Sequence, residues 1–323
     1  MLNDDCLGTI IMYCKRTTVF NLVALSRRCK KVMLSMYNIH YVLTKLTSRF
    51  MTSKEVKYYD RIVSANNKLW LYCINGYTNY DHLTHLSIDY YDNKYDLPKN
   101  LIYLRFLDNF DTKVMNYPKE IICLYFGKKY NQSVDNLPNK LKYLYFGEKF
   151  NQPVDNLPNG LLCLCFGHKK MCYVKDCFNQ SINNLPKSLM TLTLGNAFNQ
   201  PIDKLPTNLK FLSFGDGFDN FINMLPSNLI HVRLGKNFDG EQMHKLPMSV
   251  IRLDIMYTHI EHLLKLIIPD NLKEIRVISD TAIEDLSDLN EMLPVLRSEF
   301  MGVIKVILTS QSSYFYRETI LKY

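Results

Sequence analysis

A short pattern of apolar and polar residues recurs along most of the chain at a nearly constant interval. Each unit reads L-P-x-x-L-x-x-L-x-F-G-x-x-F-N-Q-P-[VI]-D-x, and its Leu-Pro element or a close variant recurs after 20 residues, with one interval of 28 and final intervals of 21 and 22. The end of L-x-x-L-x-F alternates apolar and polar positions, which predicts a short strand with one buried face. A fixed period of this length predicts a solenoid of stacked coils. The prolines that mark the interval are Pro98, Pro118, Pro138, Pro158, Pro186, Pro206, Pro226, Pro247 and Pro269.

Equivalent positions of successive coils are expected to stack into buried columns, because one coil alone has too little apolar surface to form a core. The asparagines of the F-N-Q segment are predicted to form a ladder that satisfies backbone groups at the bend. The glycine after each strand is expected to allow backbone angles closed to other residues. The three columns are Phe126, Phe146, Phe166, Leu194, Phe214 and Leu234; Phe110, Tyr130, Phe150, Phe178, Phe198, Phe218 and Phe238; and Val134, Val154, Ile182, Ile202 and Ile222.

Twenty residues are too few for a strand, a full helix and two turns, so the return of each coil is predicted to be extended or a single 3₁₀ turn. We therefore predict an α/β repeat fold with a parallel β-sheet of about ten strands over residues 83–280. A small helical domain over 1–40 and a helical linker over 41–82 precede it. A capping turn over 281–323 follows, with a helix at 281–296 and a last strand at 303–308.

The F-N-Q-P-[VI]-D-x-L-P segment, present in full at 150–158 and 198–206, resembles the FNIP repeat. That repeat is a short relative of the leucine-rich repeat and is found in social amoebae and in giant viruses of amoebae. The resemblance extends over about residues 97–247 and implies a leucine-rich-repeat-like solenoid. It implies an architecture rather than an activity.

The strand positions on either side of the second Leu point away from the core, and the fold does not constrain them. Their chemistry changes along the chain, from aromatic and thiol groups in the middle to charged groups near the C-terminus. Aromatic side chains in a row suit protein recognition, whereas the alternative is that they only tolerate a half-buried sheet surface. The predicted contacts with a target protein are Tyr103, Arg105, Tyr125, Tyr143, Tyr145, Phe211, His231, Arg233 and Arg252.

One interval carries an eight-residue insertion, and five metal-ligating side chains lie around it: Cys163, Cys165, His168, Cys172 and Cys177. Thiols and an imidazole this close are a candidate zinc site. No C-x-x-C pair occurs among them, and the first two occupy ordinary strand positions. A chance cluster is therefore the favoured interpretation, no cofactor is predicted, and the inserted loop is alternatively a projecting contact.

Residues 1–40 do not repeat, and their apolar spacing is typical of short helices. One interpretation is a helical cap over the exposed end of the solenoid. The segment also resembles an F-box, although Asn3 replaces the usual proline of that motif. The resemblance implies that Leu2, Ile10, Ile11, Leu22, Leu25 and Cys29 bind a Skp-type adaptor of a cullin ubiquitin ligase. The chain would then hold an unknown target protein for that ligase, and the alternative is an FNIP-repeat scaffold without a ligase role.

The net charge is +8, but the basic residues are scattered along the chain. This distribution favours a solvated basic surface over a nucleic-acid interface. No apolar run is long enough to span a membrane, and the N-terminus lacks the features of a secretory signal. The chain also lacks a phosphate-binding glycine loop, G-x-S-x-G and H-E-x-x-H. We therefore expect a non-enzymatic cytoplasmic protein (host cytoplasm if viral) that is a monomer outside its complex and binds neither nucleic acid nor membrane.

Overall fold

A computed structural model describes residues 68–71, 81–167, 176–259, 262, 271–279, 305–310 and 319–320. The chain divides into two compact units, which we call the first unit (1–132 and 136–141) and the second unit (133–135 and 142–323). The predicted F-box segment, most of the predicted linker and the predicted helix at 281–296 lie outside the described residues.

Among its described residues, the first unit contains four parallel strands that pair in chain order, with equivalent repeat positions directly opposite one another. They are β1 (Lys68–Leu71), β2 (His85–Ile88), β3 (Tyr103–Phe106) and β4 (Cys123–Tyr125). Equivalent residues are direct partners, so that His85 lies opposite Tyr103 and Tyr103 lies opposite Cys123. The parallel register keeps like residues in line, as the fixed period requires.

The described strands of the second unit are also parallel, except for an antiparallel pair near the C-terminus. Its strands are β5 (Tyr143–Phe146), β6 (Cys163–Phe166), β7 (Thr191–Thr193), β8 (Phe211–Ser213), β9 (His231–Arg233), β10 (Arg252–Met256), β11 (Glu274–Ser279), β12 (Lys305–Ser310) and β13 (Thr319–Ile320). Strands β5 to β12 are parallel neighbours in chain order, and β13 runs antiparallel to β12. The prediction of parallel strands in a repeat of about twenty residues is confirmed within each unit.

Two of the sequence predictions about strand positions differ from the structure. Residues Lys68–Leu71 form a strand, whereas we predicted a helical linker over 41–82. Each of the four residues pairs with its counterpart in β2, from Lys68 with His85 to Leu71 with Ile88. This tertiary pairing outweighs local propensity, which is a weak determinant for a four-residue segment. The strand predicted at 303–308 extends to Ser310, since Lys305–Ser310 is a strand.

The three predicted columns form the core. Every member is buried, with no more than 3% of its surface exposed. Within each unit, neighbouring rings of the second column stack on one another, with the Phe178 and Phe198 centroids 6.1 Å apart and their planes at 8°. Where a coil has phenylalanine in the first column, its ring also packs against the second column, as in the Phe166–Phe178 pair at 3.6 Å. Aromatic burial at every coil supplies much of the apolar surface that stabilises the stack.

The predicted asparagine ladder is present at the bend that follows the second column. The Asn151 Oδ1 accepts a hydrogen bond from the Asn179 backbone N–H at 3.0 Å, and Asn179 accepts in the same way from Asn199 at 2.9 Å. The side-chain amide of Gln200 donates to the same Asn179 oxygen at 3.2 Å. Each asparagine therefore supplies the acceptor that an extended return segment cannot supply for itself.

The glycines after the strands are required mainly by close packing rather than by unusual backbone angles. A Cβ on Gly215 would lie 2.2 Å from the Gly195 carbonyl oxygen in the coil before it. Gly167, which precedes the insertion, is the one described glycine with a positive φ, at 79°. Gly167 is therefore required for its backbone angles, as predicted, whereas Gly215 is required because a side chain there would overlap the previous coil.

Most of the described return segments contain turns and no regular secondary structure. Among the described residues there are 3₁₀ helices at Gly240–Lys245 and Tyr257–His259. Asp239 caps the first of them, since its side chain accepts from the Glu241 N–H at 3.1 Å. A 3₁₀ turn in the return was expected, although the six residues of Gly240–Lys245 make about two turns rather than one. Among the described residues, no helix is long and apolar enough to cross a membrane.

Candidate functional site

In the first unit, the outward positions of the strands carry a row of rings. The His85 and Tyr103 rings lie 5.7 Å apart and nearly parallel, and Tyr103 and Tyr125 lie 5.8 Å apart at 43°. All three side chains are half-buried, and Arg105 lies two residues along β3 from Tyr103. Burial raises the pKa of Tyr103 to about 12, against a smaller lowering by Arg105. The phenol is therefore a neutral hydrogen-bonding group at physiological pH.

In the second unit, the outward positions begin with aromatic residues and then change to small ones. Tyr143 is 40% exposed, whereas Cys163 and Cys165 are 8% and 2% exposed. The Cys163 thiol lies 3.8 Å from the Tyr145 hydroxyl, to which it donates. Both cysteines occupy outward strand positions, as the repeat predicts. They are covered because small side chains between larger neighbours on adjacent strands lose contact with solvent.

The C-terminal part of the same face carries interlocked charges. The Arg252 Nε lies 2.9 Å from Glu274 Oε1, and Arg276 Nη2 lies 3.3 Å from the same oxygen. The His231 Nε2 lies 3.1 Å from Asp254 Oδ2, and the His231 ring meets the Phe211 ring edge to face at 4.7 Å. Asp254 and Glu274 were not among the predicted contacts, but their carboxylates lie against two residues that were, His231 and Arg252.

The structure places each predicted target contact at an outward position of a strand. Tyr103, Arg105 and Tyr125 lie in the first unit, and Tyr143, Tyr145, Phe211, His231, Arg233 and Arg252 lie in the second. That they bind a protein stays a prediction. The predicted adaptor contacts Leu2, Ile10, Ile11, Leu22, Leu25 and Cys29 lie outside the described residues.

The zinc candidate is only partly described. Cys163, Cys165 and Cys177 are placed, whereas His168 and Cys172 lie outside the described residues. Within the described part of the chain, no group of three or more His, Cys, Asp or Glu side chains is arranged to hold a metal ion. The Cys165 thiol instead lies 3.8 Å from the Gly167 carbonyl, to which it donates.

The repeat geometry and the variable outward face define a parallel-strand repeat protein, in which the core columns are constant and the surface varies. Comparison with known families agrees with this class. The FNIP Repeat family matches residues 111–149, 130–169, 178–217 and 198–237. FNIP repeats are therefore detected in the chain, as the F-N-Q-P segments predicted.

The other comparisons add little about function. The solved structure of YopM from Yersinia enterocolitica WA-314 is similar over 61% of this chain, at 18% identity and a TM-score of 0.33. This chain covers 46% of the length of that structure. No curated protein matches the chain.

Proposed function

We propose that this chain is a protein-interaction module that performs no chemistry and presents the outward side of its parallel strands to a partner protein. The observation that carries the proposal is the row of rings His85, Tyr103 and Tyr125 in the first unit. The second unit also has an exposed ring, Tyr143, at an outward strand position. These rings contribute nothing to the buried columns. Tyrosine buries a large area on binding and loses little rotamer entropy, which suits it to recognition.

The finer proposal is a substrate-recognition subunit of an SCF-type cullin ubiquitin ligase. It is supported by the F-box resemblance of residues 1–40, in which apolar residues such as Ile10 and Leu25 would contact a Skp-type adaptor. The repeat face would hold the target protein, and the chain would act by raising the effective concentration of target lysines near the transferring enzyme. On this proposal the protein acts in the cytoplasm of an amoeba, either as a host protein or as a protein of a giant virus.

The second candidate is an FNIP-repeat scaffold without a ligase role. The observation that favours it is Asn3, which stands where the F-box motif usually has proline. The N-terminal segment would then only cover the first coil of the repeat. Its deletion would cause aggregation of the whole chain rather than the loss of one partner.

A pull-down of the purified full chain with a Skp-type adaptor distinguishes the two candidates. The matched variant carries Ile10→Asp and Leu25→Asp, and circular dichroism must show that it remains folded. Binding by the native chain that the variant loses supports the ligase receptor. If the native chain and the folded variant both fail to bind, the chain is a scaffold without this adaptor.

The recognition face is tested separately, because it belongs to both candidates. A partner identified by co-precipitation with the full chain is purified, and its affinity is measured for the native chain and for the double variant Tyr103→Ala and Tyr125→Ala. Tyr90→Ala is the control, since Tyr90 is 51% exposed and lies outside the strands. We expect the double variant to weaken binding by at least about tenfold, as for aromatic hot spots, and the control to leave it unchanged. Equal affinity of all three proteins would refute the assignment of the face.

A further inference from the structure

A pocket of about 340 Å³ opens on the outward side of the second unit. Strand residues Thr193, Phe211, Ser213, Arg233 and Asp254 line it, and Asp176 and Asp216 line it from the bends. Its volume lies at the lower end of the range for small-molecule sites, which fits a single side chain better than a cofactor. Its lining combines three carboxylates with one guanidinium and the rings of Phe166, Phe211 and Phe214.

Asp254 is the unusual member of this lining. It is 6% exposed, and its Oδ2 lies 3.1 Å from the His231 Nε2. Its other carboxylate oxygen, Oδ1, has no hydrogen-bond partner among the described residues, and neither has the His231 Nε2 beside the carboxylate. The fold therefore leaves this buried carboxylate incompletely satisfied, which is costly, so the site is suited to an additional donor.

The remaining charged groups of the pocket are already engaged. The Asp176 carboxylate accepts from the backbone N–H groups of Asn196 at 2.5 Å and Ala197 at 3.0 Å. Asp216 Oδ1 accepts from the Lys236 N–H at 3.3 Å, and Arg233 also has an interaction partner. Among the charged groups of the pocket, the unsatisfied atom is therefore an acceptor, Asp254 Oδ1. The three aspartates outnumber the one arginine, so the net charge of the lining is negative.

We propose that this pocket takes the guanidinium group of an arginine side chain carried by a bound polypeptide, with Asp254 as its principal partner. A cation compensates a buried carboxylate better than a neutral donor does. A guanidinium is favoured over an ammonium because it forms parallel hydrogen bonds to carboxylates and stacks on a ring such as Phe211. The inference deepens the proposed function by naming what the second unit recognises in its partner, and it rests on that function.

The test uses the full chain and small probes rather than an unidentified partner. Nα-acetyl-arginine N-methylamide, its citrulline counterpart and its lysine counterpart are titrated separately, with binding followed by ligand-observed NMR. Citrulline has the shape of arginine without its charge. We expect the arginine probe to bind, the lysine probe to bind more weakly, and the citrulline probe to show no saturable binding. Equal responses to arginine and citrulline in the native protein would overturn the proposal without any variant.

Two variants then locate the site. Asp254→Asn removes the charge with little change of shape, and Asp203→Asn makes the same charge change at an exposed position of the second unit. Loss of a buried charge partner predicts at least about tenfold weaker arginine binding for Asp254→Asn and no more than about a twofold change for Asp203→Asn. Unchanged binding by folded Asp254→Asn would place the probe elsewhere and overturn the assignment. If Asp254→Asn does not fold, Phe211→Leu replaces it and is expected to weaken arginine binding several-fold.

The same titrations show whether the pocket binds free arginine or arginine within a polypeptide. They also test the pocket separately from the proposed function. Free arginine binding more tightly than the blocked probe would assign the pocket to the amino acid and overturn the polypeptide assignment. The probes contain no adaptor or partner protein, so the failure of the adaptor pull-down leaves their result unaffected. Conversely, a partner that still depends on Tyr103 and Tyr125, together with a chain that does not bind arginine, would reject the pocket alone.

Discussion

Phe198 offers the sharpest test of the stacked aromatic core. Its side chain is fully buried and its ring lies between those of Phe178 at 6.1 Å and Phe218 at 6.2 Å, in nearly parallel planes. Replacing it with alanine removes a whole buried ring, for which core substitutions of this type cost about 3–5 kcal/mol. Since small folded domains are stable by only about 5–15 kcal/mol, this change would remove a large part of the total.

Phe198→Leu separates ring stacking from burial. Leucine already occupies the neighbouring column at Leu194 and Leu234, which are both buried, so the coil accommodates its shape. The variant keeps most of the apolar surface and loses two ring pairs, each worth about 0.5–1.5 kcal/mol beyond area burial. We therefore expect a loss of about 1–3 kcal/mol, smaller than that of the alanine variant.

Urea unfolding followed by circular dichroism measures both free energies, and Phe221→Ala is the matched control. Phe221 is 63% exposed, and its ring lies 5.4 Å from the Lys245 Nζ, so its removal is expected to cost no more than about 1 kcal/mol. The slope of the free energy against urea should stay constant if the same surface unfolds in each protein. A Phe198→Ala loss no larger than that of Phe221→Ala would refute the buried column.

Three further predictions follow from the backbone contacts and the tyrosines. Gly215→Ala should lower stability by about 1–3 kcal/mol or more in thermal unfolding, because the new Cβ would overlap the Gly195 carbonyl, and an unchanged midpoint would contradict this close approach. Asn179→Ala should cost about 0.5–1.5 kcal/mol by leaving the Asn199 N–H without its acceptor, whereas Asn179→Asp keeps an oxygen there and should cost less; equal losses would argue against the ladder. Because burial raises the pKa of Tyr103 from 10.0 to about 12, its contribution to stability is complete below pH 10 and is lost as the pH rises towards 12. Tyr103→Phe should therefore lose less stability than the native protein between about pH 10 and about pH 12, and parallel losses would refute the assignment.

The strands were predictable because the repeat specifies them many times. Every strand from β2 to β11 begins at the outward residue that follows from the repeat, from His85 in the first unit to Glu274 in the second. The position of each Leu and Phe is set by the two-residue alternation of a half-buried strand, and a slip by one residue would expose the whole column. Repetition thus turns a weak local pattern into a reliable one.

Features that depend on neighbours in space were not predictable in the same way. The strand at Lys68–Leu71 has no Leu-Pro element before it and forms by pairing with β2. Cys165 occupies an outward position but is only 2% exposed, because its burial depends on the side chains that flank it on adjacent strands. The sequence shows which residue occupies each outward position, but its solvent exposure depends on the neighbouring strands of the assembled sheet.

Asp254 is a buried charge at a strand position where other coils have serine or arginine. It lies directly opposite Arg233 on β9, and Arg233 lies directly opposite Ser213 on β8. The three residues therefore occupy equivalent positions of successive coils. The fold demands nothing at this position, as the exchange of serine, arginine and aspartate shows, and a serine there avoids the cost of burying a charge. A carboxylate that is 6% exposed, with one oxygen unsatisfied among the described residues, is therefore not explained by the stability of the coil. Proteins keep such groups where a ligand supplies the missing donor, which is the physical basis for assigning the pocket to a guanidinium.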